Sequence, residues 1–361
     1  MRRGLTEQNR HNPPVPTAPH PFGLHRSLDP PGALPQTARR LDATPRALEN
    51  ELAIDVRALS IDSASFRQLR ETEAATGETV RDQIARIVRE RGKMQNPVTG
   101  SGGMLVGRVR EVGPRHPAAG RLAPGDPVAS LVSLTLTPLS LDEIRAVHLD
   151  TDRVEASGTA ILFERTLWAR LPGDFPEEVA LAVFDVAGAP AAVLRDARPG
   201  QTVLVVGTGK AGLLSLAAAR EAVGASGRIL AVEPSLRSAE RARALGFADA
   251  VLSVDARDAA AMLEAVQGAT EGRLADLVVN VANAAGTEAA TILCARDDGA
   301  VIFFGMATSF SAAALGAEGL AKPTRLSIGN GFVPGHDETA LGLLRRHPAL
   351  ARAFEELAGG R

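Results

Sequence analysis

The stretch VLVVGTGKAG, residues 203–212, decides the fold. Four apolar residues run into glycines at 207, 209 and 212, the GxGxxG spacing. Alone, that spacing is a weak signal. Here it follows an apolar strand (TVLVVG) and opens a helical run (KAGLLSLAAAREAV), which is the setting of a dinucleotide site. Gly207 permits a tight turn, Gly209 lets backbone approach a pyrophosphate, and Gly212 lets the helix pack closely. The amides of the first helical turn, at Lys210 and Ala211, are placed to face phosphates. Glu233 ends the next strand, ILAVE, 21 residues past Gly212. A carboxylate there accepts ribose hydroxyls and repels a 2′-phosphate, so it favours NAD over NADP. Arg237 and Arg241 downstream keep NADP open. The bland alternative is a structural turn with a solvated glutamate.

Outward from this motif the chain alternates strand and helix: LRSAERARAL, AVLSV, AAAMLEAVQGA, DLVVNVA, GTEAATILCA and AVIFFG follow in turn. Near-continuous apolar strands between helices mean a parallel sheet covered on both faces. The predicted doubly wound Rossmann domain covers 173–335. A C-terminal helical segment covers 336–361. Ligands of such sheets bind at the carboxyl ends of the strands, which nominates Val281, Asn283, Gly305, Met306, Asn330 and Gly331.

Residues 21–172 read differently. NELAIDVRALSI (50–61) and MLVGRVREVG (104–113) are strands, and LAPGDPVASLV holds a turn and a strand. FRQLRETEAATGETVRDQIARIVRER (66–91) has helical period, with a break at Gly77. This is a β-rich domain. Residues 1–20, rich in proline and polar groups and without an apolar core, read as a disordered extension and not as a secretory signal.

Composition narrows the function classes. Of 361 residues, 45% are apolar and 23% charged, with a net charge of −2, so neither nucleic acid nor a membrane surface is an expected partner. No apolar run approaches the roughly 20 residues of a membrane span. The expected location is the cytoplasm. The one cysteine, Cys294 in TILCA, reads as core and excludes a multi-cysteine zinc lobe. Lysine occurs only at 93, 210 and 322 in an arginine-rich chain, which makes each lysine worth placing.

A β-rich domain before a single Rossmann domain resembles the medium-chain dehydrogenase/reductase superfamily, whose substrate domain is GroES-like. In that likeness Asp62 stands where the first catalytic zinc ligand does, Gly103 in NPVTGSGGMLVGRVREVG (96–113) where the zinc histidine does, and Ala182 where the third ligand does. Zinc takes three protein ligands and an open site, so no metal is expected. Gly103 then reads as room for a substrate. More specifically, PFGLHRSLDPPGALPQTARRLD, NPVTGSGGMLVG, LVSLTLTPLSLDEI, DVAGAP, MATSFSAAALGAEG and IGNGFVPGHDETALGLLR, spread over 21–345, look like the L-erythro-3,5-diaminohexanoate dehydrogenase family. The resemblance implies NAD-dependent oxidative deamination at carbon 3 of a diamino acid. The products are 5-amino-3-oxohexanoate, ammonia and NADH.

That chemistry needs a base, because an ammonium has no lone pair to assist hydride departure. The candidates are Asp62 and Lys93, then Glu164 and Asp185. Each has a plain alternative: a turn cap for Asp62, a solvated helix end for Lys93, local capping for Asp185. His25 and Arg26 are possible carboxylate binders or surface structure; Glu318 and His336 are outside candidates. Asn96, Thr99 and Ser101 are possible pocket residues, and Trp168 reads as packing. Two other functions compete: a zinc-independent quinone or enoyl reductase, and a non-catalytic dinucleotide-binding scaffold. A homo-oligomer is expected, since TRLSIGNGF would leave an apolar sheet edge bare.

Overall fold

A computed structural model describes residues 19–71, 76–131, 133–329 and 331–359. Asn330 and residues 1–18 lie outside the described residues. The chain divides after Leu171 into two compact units.

The first unit opens with a short antiparallel ladder, Ser27–Asp29 (β1) with Arg40–Leu41 (β2). There follow Glu51–Ser60 (β3), helices Ser63–Arg70 (α1) and Gly77–Arg91 (α2), then Met104–Val112 (β4), Pro127–Ser130 (β5), Leu139–His148 (β6), Arg153–Phe163 (β7) and Trp168–Arg170 (β8). Six strands form one antiparallel sheet in the order β6-β7-β3-β4-β5-β8. The central strand β3 buries most of its residues, and Leu52, Ile54, Val56 and Leu59 join one core with Leu105 and Val109 of β4. Helix α2 turns Val80, Ile84, Ile87 and Val88 into that core, the i, i+4, i+7, i+8 stripe of an amphipathic helix. It starts where Thr76 and Thr79 cap each other reciprocally and ends at Gly92, in the left-handed conformation. Trp168 packs on the same core with the Arg121 guanidinium 5.0 Å from its ring centre. Strands β6 and β7 carry no clear alternation in sequence. Gly158 stands inside the continuous strand β7, where a side chain would sit 2.0 Å from the Ser140 carbonyl of β6.

The second unit contains Glu177–Phe184 (α3), Gly188–Asp196 (α4), Thr202–Val206 (β9), Lys210–Val223 (α5), Arg228–Val232 (β10), Leu236–Leu245 (α6), Ala250–Leu252 (β11), Ala259–Thr270 (α7), Ala275–Asn280 (β12), Glu288–Leu293 (α8), Ala295–Phe303 (β13), Phe310–Gly319 (α9), Arg325–Ile328 (β14), His336–Arg346 (α10) and Pro348–Ala358 (α11). Its sheet is parallel throughout, in the order β11-β10-β9-β12-β13-β14. This is the doubly wound order, with the first strand in the middle and the chain reversing direction beside it. Strands β9, β10 and β12 are almost wholly buried, as their unbroken apolar sequences require. Cys294 sits in this core, its thiol pushed up to about 12 by burial, so it is a packing group rather than a nucleophile. Helices α10 and α11 pack on α3 and α5 and belong to the same unit.

Candidate functional site

The second unit carries the dinucleotide half of the site. Strand β9 ends at Gly207, whose φ of 93° makes the turn. Gly212 explains the helix–loop contact: a Cβ there would lie 2.1 Å from the Gly207 carbonyl oxygen. Gly209 caps α5, and a Cβ on it would meet nothing within 4 Å. The helix N-terminus at Lys210 and Ala211 is therefore fronted by open space, which suits a phosphate. Glu233 is already committed to the loop. Its Oε2 accepts from the Thr208 backbone N–H and hydroxyl, each at 2.9 Å, and its Oε1 from the Ser235 N–H at 2.9 Å. Thr208, not singled out in the sequence, is thus the residue that ties the acid to the glycine turn.

The other strand ends converge on Gly207. Val281 donates its N–H to the Val206 carbonyl at 3.0 Å. Ala282 stands 3.1 Å from where a Gly207 side chain would begin, and 2.3 Å from a Gly305 one. Asn283 is exposed in the turn that follows. Met306 is 95% exposed, at the rim of a hollow that Gly305, Phe310 and Ile328 also line. Lys210 pairs at 3.8 Å with Asp185, the C-cap of α3. Asp185 is therefore a neighbour of the phosphate loop. Glu318 is exposed on α9. His336 is buried edge-on to Phe332, and burial lowers its pKa.

The first unit carries a separate polar cluster where β3 ends. Asp62 caps α1 through Oδ1, which accepts from the Ser65 N–H at 2.9 Å and the Ser101 hydroxyl at 2.8 Å. Its Oδ2 is buried without a hydrogen-bond partner. Ser101, Thr99 and Ser65 form a triangle of hydroxyls with sides of 2.7, 2.7 and 2.9 Å. Buried Asn96 holds the turn that carries them: its Oδ1 accepts from the N–H of Val98 and Thr99, and its Nδ2 donates to Gln68 and the Ser65 carbonyl. The sequence reading missed Ser65. The spacing Asp62-x-x-Ser65 at a helix start was the available signal.

Three sequence expectations change here. Gly103 is not room for a substrate. Its φ is 106°, and a Cβ would lie 2.0 Å from the Ser60 carbonyl and 2.8 Å from the Asp62 nitrogen. The glycine lets two backbones meet at the strand end, and that contact positions Asp62. Glu164 does not join Asp62. In the β3–β7 register Glu51 faces Phe163 and Ser60 faces Arg153, so Glu164 lies at the opposite end of β3, roughly 30 Å away at about 3.3 Å per residue. There it accepts from Asn50. Lys93 is not a solvated helix end. It is fully buried, and its Nζ donates to the carbonyls of Pro35 at 2.6 Å and Gln36 at 3.3 Å. Burial first, and Arg91 second, bring its pKa down to about 8.

His25 and Arg26 do bind a carboxylate, but it is the chain's own. Glu51 is fully buried and accepts from His25 Nε2 at 2.8 Å and from Arg26 Nε and Nη2 at 2.7 and 2.6 Å. Burial acts to raise the Glu51 pKa, yet these bonds and the Leu48 N–H overcome it and hold the group at about 2. The cluster fastens the segment before β1 to the start of β3.

Among the described residues no group of three or more His, Cys, Asp or Glu side chains could hold a metal ion. Gly103 and Ala182 offer no donor atoms in their side chains, so the superfamily's zinc does not fit this donor set.

Comparison with known proteins agrees with this architecture. Residues 25–172 match the model of the L-erythro-3,5-diaminohexanoate dehydrogenase N-terminal domain. The chain is 43% identical to the L-erythro-3,5-diaminohexanoate dehydrogenase of Acetoanaerobium sticklandii and 42% identical to that of Fusobacterium nucleatum. Each match covers 93% of this chain and 98% of the relative. Among solved structures, a mycobacterial protein complexed with NADPH gives a TM-score of 0.55 at 19% identity, over 90% of this chain and 94% of that one. An alcohol dehydrogenase from Thermus sp. ATN1 gives 0.53 at 20% identity, over 89% and 91%. The fold is that of the medium-chain dehydrogenases, and the chain belongs to the L-erythro-3,5-diaminohexanoate dehydrogenase family.

Proposed function

We propose that the protein carries out the NAD-dependent oxidative deamination of L-erythro-3,5-diaminohexanoate at carbon 3, a step of lysine degradation. The products are 5-amino-3-oxohexanoate, ammonia and NADH. The observation that carries this reading is the 43% identity, along nearly the whole chain, to a relative of that name. NAD accepts the hydride. Gly207, Gly209, Lys210, Ala211 and Gly212 hold its pyrophosphate, Glu233 its ribose, and Val281, Asn283 and Gly305 border its nicotinamide end. Three donors of its own chain hold Glu233 at the end of β10, and a carboxylate at that place favours NAD over NADP.

Asp62 supplies the base. The substrate ammonium must lose a proton before hydride leaves, and a positioned carboxylate contributes about 10²–10⁴-fold to such a step. No metal is needed, because an amine develops no alkoxide for a Lewis acid to stabilise. Lys93 acts through structure, and Asp185 through its pair with Lys210 at the phosphate loop. The enzyme works in the cytoplasm as a homo-oligomer with neither nucleic acid nor membrane as partner.

The test mixes protein, NAD and 3,5-diaminohexanoate and follows NADH absorbance together with ammonia. Equal release of both supports the proposal. Absence of NADH would sink it, and NADPH oxidation by a quinone in the same preparation would put a reductase in its place.

A further inference from the structure

The Asp62 carboxyl is wanted as a base, yet it is set back from the surface. Oδ2 is buried and unpartnered, and Oδ1 is covered by the Ser65 N–H and the Ser101 hydroxyl. A backbone amide cannot pass a proton on. Among the described residues, the one hydrogen-bonded way outward from the carboxyl runs through Ser101. From there it continues 2.9 Å to Thr99, which is exposed. Ser101 itself is half-buried, and Ser65 is fully buried.

We propose that Ser101 and Thr99 form a two-hydroxyl relay through which Asp62 takes the substrate's ammonium proton without touching the substrate. The inference rests on the deamination reading above. The direction of the hydrogens fits. A carboxylate only accepts, so the Ser101 hydrogen points at Asp62 Oδ1, which leaves the Ser101 oxygen free to accept from Thr99. In the step itself the ammonium N–H bond breaks as the Thr99 oxygen gains a hydrogen. Thr99 passes its own hydrogen to Ser101, and Ser101 passes its own to Oδ1. The amine keeps the electron pair, the carboxyl becomes neutral, and charge is conserved. The reverse shift returns the proton when ammonia is expelled. Ser65 is a positioning residue: 2.7 Å from both relay oxygens, it holds them within reach of each other. Asn96 fixes their turn from below.

The relay predicts a specific pattern in the intact enzyme. Ser101→Ala should lower kcat about 10²-fold, with NAD affinity and melting temperature close to wild type. Ser101→Thr, which keeps the hydroxyl, should recover most of the rate. Imidazole added to Ser101→Ala should raise its rate in proportion to concentration, because a small base replaces the missing link. Wild-type kcat should show a solvent deuterium isotope effect that curves with deuterium fraction, as several protons move together, and the curvature should vanish in Ser101→Ala. An unchanged kcat in Ser101→Ala overturns the relay, as does a loss that neither imidazole nor Ser101→Thr repairs. If wild type makes no NADH from the diamino acid, the deamination reading fails first. If wild type is active and Ser101→Ala is unaffected, only the relay fails.

Discussion

Gly103 shows how one residue can be misjudged from its neighbours in a superfamily. In sequence it reads as a lost metal ligand. In the fold it is a contact between two backbones, and any side chain would strike the Ser60 carbonyl. Gly103→Ala combines that overlap with an unfavourable φ, so it should cost about 3 kcal/mol. Denaturant unfolding measures this, and a loss under about 0.5 kcal/mol would show that the strand end yields. Glu51 offers a signed test. Its folded pKa of about 2 lies below its ordinary 4.5. The stabilisation is therefore complete above pH 4.5 and is lost as pH falls from there through 2. Glu51→Gln removes the nearer of the two carboxylates on buried Arg26, leaving Asp42 at 3.9 Å, and should cost about 3 kcal/mol at neutral pH. It should also flatten the stability profile in that acid window. Lys93 has the opposite window. Its pKa falls from 10.5 to about 8, so the native state binds fewer protons between those values and stability rises with pH across them. Lys93→Met should remove that rise; a rise that persists would place its origin elsewhere. Sequence could flag Lys93 by its rarity. It could not show that the amine ends on the carbonyls of Pro35 and Gln36, because a contact across 57 or 58 positions leaves no local pattern.

At the scale of elements, the readable parts are those with one strong period. The strands β9, β10 and β12, the second half of β13 and the helix α5 follow from unbroken apolar runs and the glycine spacing between them, whereas the ARDDG that opens β13, exposed in its three central residues, carries no such signal. The pair β6 and β7 does not, because β6 mixes half-buried and exposed residues without a regular alternation and a glycine, Gly158, stands inside β7. The helix–loop junction at α5 is the most demanding joint in the second unit. With a Cβ at 212 only 2.1 Å from the Gly207 oxygen, Gly212→Ala must push α5 away from the turn. The amides of Lys210 and Ala211 move with it. NAD affinity should fall more than about tenfold, the equivalent of 1.4 kcal/mol, whereas Gly209→Ala, facing open space, should disturb the apoprotein fold little. Calorimetric titration of NAD into both variants decides this. Unaltered affinity in Gly212→Ala would mean that the loop's position is not set by this contact.

At the scale of the whole molecule, the edge of the parallel sheet is the surface on which the proposed homo-oligomer would form. Strand β14 ends the sheet, and all four of its residues are exposed, with Ile328 at 64% and Leu326 at 36%. Beside it lies an apolar hollow of about 240 Å³ lined by Phe303, Phe310, Leu326 and Ile328. Phe310 and Leu315 of α9 are also exposed. A bare edge strand with apolar side chains is a template for pairing, and natural proteins cover or charge such edges. Here Arg325 is the strand's one charge. A second copy presenting the same edge about a twofold would pair antiparallel, continue the sheet and bury both sets of side chains. In the proposed homo-oligomer, Ile328→Lys places a charge in that seam and should leave monomers, with the sheet itself unaffected. Sedimentation velocity reads the change in mass, and circular dichroism checks the fold. A wild-type protein that sediments as a monomer at micromolar concentration would remove the edge from consideration. An Ile328→Lys variant that keeps its assembly state would place the interface on another face.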